Sequence, residues 1–236
     1  MNTLGRWIRN ILIFFFVSTI GMVVALKYIP VYFTPLMFIR CTEQICRGES
    51  PRLKHEWVPL NKISPNAPQA VMASEDNLFL DHNGFDIDQI LQARKEAQQG
   101  KRERGASTIS QQTAKNVFLW PGSSRASKWV RKGFEVYFTV LIEKIWGKQR
   151  IMEVYLNSIE MGDGIYGIEA VSQTNFDRPA SDITKKQAAL VATTLPNPLN
   201  RDSAHPTKWM NKRSNKIIDL MGKVKRFPYP EDNKDK

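Results

Sequence analysis

The strongest pattern in the chain is an uncharged run from Ile11 to Leu26. Arg9 and Lys27 bracket it, and Trp7, Tyr28 and Ile29 extend its edges. With those edges the run reaches the ~20 residues that span a bilayer, with basic and aromatic side chains at interface depth. It is longer than most secretory signal cores, and no clear small-x-small cleavage site follows it, which predicts an uncleaved anchor. Arg6 and Arg9 favour an inside N-terminus. More basic residues follow the run, but a long downstream domain crosses regardless of its charge. Pro30 to Ile39 stays apolar but is broken by Pro30 and Pro35, which argues against a continued helix and for an interfacial segment. Cys41 to Lys62 reads as a polar linker with a short docking piece at Trp57-Val58-Pro59-Leu60.

From Ser64-Pro65 onward the apolar positions recur at helical spacing. Helices are predicted over Ala67–Phe79, Asp86–Gln98, Thr108–Phe118, Ser127–Trp146, Gln149–Glu160, Ile165–Asn175 and Thr184–Thr194. There is no series of alternating strand patterns and no internal repeat. The expected organisation is a tail and anchor over 1–29, an interfacial segment and linker over 30–63, a mainly α-helical domain over 64–222, and a charged, disordered tail over 223–236.

At 236 residues the chain holds one sizeable core plus the anchor, and its net charge of +11 is the unusual feature. A basic surface suits nucleic acid, anionic lipid or a phosphorylated substrate. Nothing reads as a zinc finger or an RNP-type motif, so nucleic acid is not expected as a partner. Cys41 and Cys46 are not spaced as CxxC and have no His cluster beside them; a local disulfide and two free thiols are both open readings.

The candidate chemistry centres on Glu75-Asp76-Asn77-Leu78-Phe79-Leu80-Asp81-His82-Asn83-Gly84. The apolar Ala70–Ala73 run before Glu75 would partly desolvate its carboxylate, raising the pKa toward what a general base needs. A solvated helix end with a glycine cap is the plain alternative. Next comes Gly105-Ala106-Ser107-Thr108-Ile109-Ser110-Gln111-Gln112-Thr113-Ala114-Lys115-Asn116, after a basic loop at 100–105. Thr108 with Gln111 fits a capping box, and Thr108, Gln112 and Lys115 then share a face. The free N–H groups of such a helix start suit an anion. Val117 to Trp129 interleaves aromatic residues with Arg125 and Lys128, a composition suited to a membrane interface or to a loop on the core. Arg131, Lys132 and Glu135 meet on one side of the next helix.

In this order the motifs resemble those of the peptidoglycan glycosyltransferase family (glycosyltransferase family 51) in its stand-alone form, with an anchor and one catalytic domain. The Glu75–Gly84 stretch is similar to the first motif. Gly105–Asn116 is similar to the second, with Ala106 and Ser110 as departures. Arg131-Lys132-x-x-Glu135 is similar to the third. Lys148-x-x-Ile151-x-Glu153-x-Tyr155-Leu156-Asn157 is similar to the fourth, and Arg213 with Ile217-Ile218 to a weaker fifth. Asn175–Arg178 and Gln187 depart from the family pattern outside the proposed centre. No Ser-x-x-Lys and no Lys-Thr-Gly occurs, so a penicillin-binding transpeptidase domain is not expected.

The resemblance implies a lysozyme-like helical lobe, a smaller membrane-facing lobe and glycosyl transfer from a growing strand to lipid II. It implies Glu75 as base and Glu135 as the second acidic residue, which orients cations or holds a divalent cation, Mg or Mn. Asp76, Phe79, His82, Ser107, Thr108, Gln111, Gln112, Lys115, Asn116, Arg125, Arg131 and Lys132 are implied to bind substrate. It also implies a single-pass protein of the bacterial inner membrane with a periplasmic catalytic domain, in the company of cell-wall synthesis or division proteins. The rival readings are a lysozyme-like lytic enzyme and a non-catalytic protein that binds anionic lipid.

Overall fold

The computed structural model describes residues 3–100, 105–122 and 124–229. Most of the basic loop predicted at 100–105, and the last residues of the tail, lie outside them. The described chain is mainly helical, in the order α1 (Thr3–Tyr28), α2 (Pro35–Cys46), β1 (Lys54–His55), α3 (Asn66–Glu75), α4 (Ile87–Gln98), α5 (Ile109–Phe118), α6 (Arg125–Ile145), α7 (Lys148–Ser158), β2 (Glu160–Gly162), β3 (Ile165–Tyr166), α8 (Ile168–Phe176), α9 (Lys185–Thr194) and α10 (Lys208–Met221). α3, α9 and α10 pack on one another, and α5 packs against α6 and α7. Helix α10 was not among the helices predicted from periodicity. Thr207 caps it by accepting from Met210 N.

Among the described residues, α1 is the one helix long and apolar enough to cross a membrane. Its lower part is fastened to the domain. Phe15 meets Phe134 and Tyr137, Thr19 Oγ1 lies 2.8 Å from Tyr137 Oη, and Trp146 Nε1 donates to Val23 O at 2.7 Å. Arg150 donates to Leu26 O and Ile29 O. These bonds satisfy carbonyls freed where α1 ends.

The segment expected to be interfacial and irregular is helical from Pro35. Proline is tolerated at the first helical position, where its missing N–H costs nothing, and Thr34 caps the start by accepting from Met37 N. The helix runs on to Cys46, into the expected linker, and the rest of that linker is also structured. β1 pairs in parallel with β3, which pairs antiparallel with β2. Asn157 bonds both N and O of Val58 at 2.9 Å, and Glu153 Oε1 accepts from Leu60 N at 2.9 Å. Glu153 and Asn157 thereby sew the 54–62 stretch to α7. The turn between β2 and β3 is fixed: Gly164 has φ +70, and a Cβ there would lie 2.5 Å from Arg52 O.

The tail expected to be disordered is docked as far as it is described. Phe227 and Tyr229 are buried. Phe227 N donates to Gln69 Oε1 at 3.2 Å, Gln69 Nε2 donates to Met221 O at 3.0 Å, and Tyr229 Oη donates to Ile63 O. Two aromatic side chains outweigh the charge of the surrounding residues.

Candidate active site

Helix α3 ends at Glu75 because the backbone leaves helical geometry at Asp76 (φ −160, ψ 82). The predicted continuation to Phe79 is a tight turn instead. Helix α3 is buried along Ala67–Ala73, so Glu75 emerges half-buried at the end of a core helix. Its oxygens accept from Ser74 Oγ at 3.1 Å and Gln112 Nε2 at 3.3 Å. Burial raises its pKa above the ordinary carboxylate range. The two hydrogen bonds and the charges of Arg213 and Arg201 oppose that rise in part.

Asp76 does something different. It is 2% exposed, and its carboxylate accepts from His82 Nε2 at 2.9 Å and from Ile109 N at 3.0 Å. His82 Nδ1 accepts from Gly84 N at 3.1 Å, which places the ring proton on Nε2. Thr108 Oγ1 donates to Gly84 O at 2.6 Å. Gly84 has φ +92, and a Cβ there would lie 2.7 Å from Thr139 Cγ2, so no other residue fits this crossing. Asp76, His82 and Thr108 therefore tie the first motif to the start of α5 rather than face a substrate. Gln111 completes the Thr108 capping box, and Phe79 is wholly buried under the Lys148 ammonium, 4.6 Å from its ring centre. In these five residues the polar atoms are already paired within the protein, or the surface lies in the core.

Gln112 and Lys115 share a face of α5, one turn apart. Gln112 Nε2 also reaches Ser107 O at 3.4 Å, and Gln112 Oε1 accepts from Tyr155 Oη at 3.1 Å. Ser107 itself is exposed at the mouth of α5. Tyr155 is fully buried in α7, and burial pushes its phenol far above the ordinary range, so it stays a donor. The apolar stripe of α7 marks Tyr155 as core, and it hides this hydroxyl, which orients the amide that holds Glu75.

Beyond Gln112 a cavity of about 300 Å³ opens, lined by Lys115, Asn116 and Arg131, with Arg40, Glu160 and an apolar rim that includes Leu36, Trp120 and Pro198. Glu135 is 3% exposed and lies under this cluster, with Lys132 Nζ 2.5 Å from its Oε1. Burial lowers the pKa of Lys115, Glu135 raises it in opposition, and Arg131 and Lys132 lower it further. Arg131 Nε is buried and, among the described residues, has no hydrogen-bond partner. Arg125 is not brought here. It is the first residue of α6, exposed, and does not line the cavity. α6 continues for more than a turn before Arg131, which is the arginine of this helix that lines the cavity.

As a metal ligand Glu135 does not fit. Its carboxylate is engaged by Lys132 beneath two further cations, and among the described residues no group of three His, Cys, Asp or Glu side chains converges. Such surroundings repel a divalent cation.

The geometry thus places a desolvated carboxylate held by neutral donors at one end of α5 and a pocket of cations one turn along. Chemically, such an arrangement can accept a proton at one point and stabilise negative charge at another. The family model described as Transglycosylase matches residues 43–222. The chain is 57% identical over 223 residues to the biosynthetic peptidoglycan transglycosylase of Bacteroides thetaiotaomicron, covering 94% of this chain and 88% of that protein. It is 48% identical over 218 residues to the protein of that name from Bdellovibrio bacteriovorus (92% and 86% covered), and 49% over 225 residues to that of Caulobacter vibrioides (94% and 94%). The chain belongs to the transglycosylase family, with its lysozyme-like helical fold, and is a glycosyltransferase.

Proposed function

We propose that this protein polymerises the lipid-linked disaccharide-peptide precursor of peptidoglycan, lipid II, into glycan strands and releases undecaprenyl diphosphate. Glu75 takes the proton of the acceptor 4-hydroxyl as that oxygen bonds to the donor's anomeric carbon. The bond from that carbon to the diphosphate oxygen breaks, and the electron pair leaves with the diphosphate. A single displacement of this kind inverts the anomeric centre. Gln112, held by Tyr155, keeps the carboxylate in place. Lys115 and Arg131 meet the departing charge, and Asn116 and Ser107 offer neutral donors along the same path. Glu135 supports the cations from below. Helix α1 spans the inner membrane once, with the domain on the periplasmic side where the lipid-linked precursor is consumed.

The observation that carries this reading is the Glu75–Gln112–Lys115 line along α5, which joins a base to a cation pocket. Full-length protein in liposomes, given labelled lipid II, should form polymer that a muramidase digests. Absence of polymer, or cleavage of preformed strands, overturns the reading.

A further inference from the structure

Arg40 lies in α2, before the first residue of the 43–222 family match, yet it lines the same cavity as Lys115 and Arg131. Leu36, one turn earlier on the same face of α2, lines it too. The Arg40 guanidinium reaches Glu43 Oε2 from Nη1 at 2.9 Å. Its Nε and Nη2 reach the Glu160 oxygens at only 3.3 and 3.4 Å, beyond the usual range for a charge-assisted bond. A guanidinium has five N–H donors, so those three bonds leave two uncommitted. Arg131 Nε, in the same cavity wall, is buried and has no partner among the described residues. The cavity therefore holds more cationic donor capacity than its own carboxylates satisfy, beside an apolar rim.

We propose that α2 is part of the binding site: Arg40 donates to the diphosphate of the polyprenyl-linked substrate, and Leu36 meets the first prenyl units. This rests on the polymerase reading above and adds a residue to it. On binding, Arg40 exchanges its long contacts with Glu160 for shorter ones with phosphate oxygens. The short connection from α1 to α2, at residues 29–34, sets this cation at the foot of the anchor. Anchor and diphosphate site are thus built from one continuous N-terminal segment.

The test uses full-length protein in detergent micelles, with undecaprenyl diphosphate as the probe in calorimetry and lipid II for KM and kcat. Arg40→Ala should weaken the diphosphate roughly tenfold, the loss expected for hydrogen bonds to a charged group, and raise KM more than it lowers kcat. Arg40→Lys, which keeps the charge and loses the fork, should lie between. Glu160→Gln should bind as tightly as wild type or more so, because it frees the guanidinium. Arg47→Ala, an exposed arginine of α2's C-terminal cap outside the cavity, serves as control and should change nothing. If Arg40→Ala and Glu160→Gln weaken binding equally, the pair is only an ion pair and the proposal falls. Unchanged affinity in Arg40→Ala overturns it as well, and if that variant does not fold, Arg40→Lys decides by the same criterion. A wild type that binds the diphosphate but makes no polymer would overturn the polymerase reading, and the affinities would still judge Arg40.

Discussion

Glu75 and Glu135 are both carboxylates on helices, both tied to α5, yet their surroundings differ in kind. Around Glu75 the close donors are neutral: the Ser74 hydroxyl and the Gln112 amide, with Arg201 and Arg213 acting only from a distance. Glu135 is deeper, and its neighbours are Lys132, Lys115 and Arg131. A carboxylate that burial makes more basic, and that is not locked in an ion pair, can accept a proton from an alcohol. One engaged by an ammonium holds cations in place. The residue type is the same; the charge of the neighbours separates the roles.

The largest expected break in this comparison is Glu75→Gln. Loss of a general base costs ~10²–10⁴-fold in rate. Polymer yield should fall by that factor while affinity for undecaprenyl diphosphate stays nearly unchanged; a mere halving of rate would remove Glu75 as the base. Lys115→Ala should show the opposite pattern, with weakened diphosphate affinity as well as a lower rate, measured in the same two assays.

The pH dependence sharpens the contrast. Burial holds the Glu75 pKa above the ordinary carboxylate range and the Lys115 pKa below the ordinary lysine range. The base is lost as pH falls through the raised value, and the cation is lost as pH rises through the lowered one. The rate should follow a bell whose limbs are both drawn inward. Lys115→Arg should push the alkaline limb upward, because a guanidinium stays charged. The sign for stability follows from linkage. Between its unfolded and its raised folded pKa, Glu75 binds more proton in the folded state, so its contribution declines as pH rises through that window. Glu75→Gln should therefore be more stable than wild type at neutral pH and lose that advantage below both values, as thermal unfolding at two pH values would show.

The smallest expected effect is Tyr155→Phe. It removes the hydroxyl that orients Gln112 and leaves the aromatic packing of α7 intact. The loss of one hydrogen bond of about 1 kcal/mol predicts a rate several-fold lower with little change in diphosphate affinity. An unchanged rate would mean that Gln112 holds Glu75 without help from the Tyr155 hydroxyl.

The helical domain and its motifs were legible in the sequence because they are local. The apolar run of α1, the Thr108–Gln111 capping box and the spacing of Arg131, Lys132 and Glu135 each follow from side chains a turn or so apart. The desolvation of Glu75 was legible too, since the buried Ala70–Ala73 run precedes it within one helix. Asp76 and His82 were not separable from Glu75 by pattern. All three are polar residues at a helix end, and only the position of Ile109 N, thirty-three residues later, makes Asp76 a buried strut. Arg125 and Arg131 are likewise both cations on α6, and the sequence cannot say which of them faces the cavity.

What the sequence determined by itself is the set of chemical groups, the helices that carry them and the long apolar first helix, because these depend on neighbours in the chain. What the tertiary structure decided is which groups stay free. The docking of α2 brings Arg40 to the cavity, Tyr155 reaches Gln112 across two helices, and the aromatic tail closes over α3. Burial and long-range hydrogen bonding consume most of the polar residues that a motif displays, and the few left half-buried in the cleft are the ones available for chemistry.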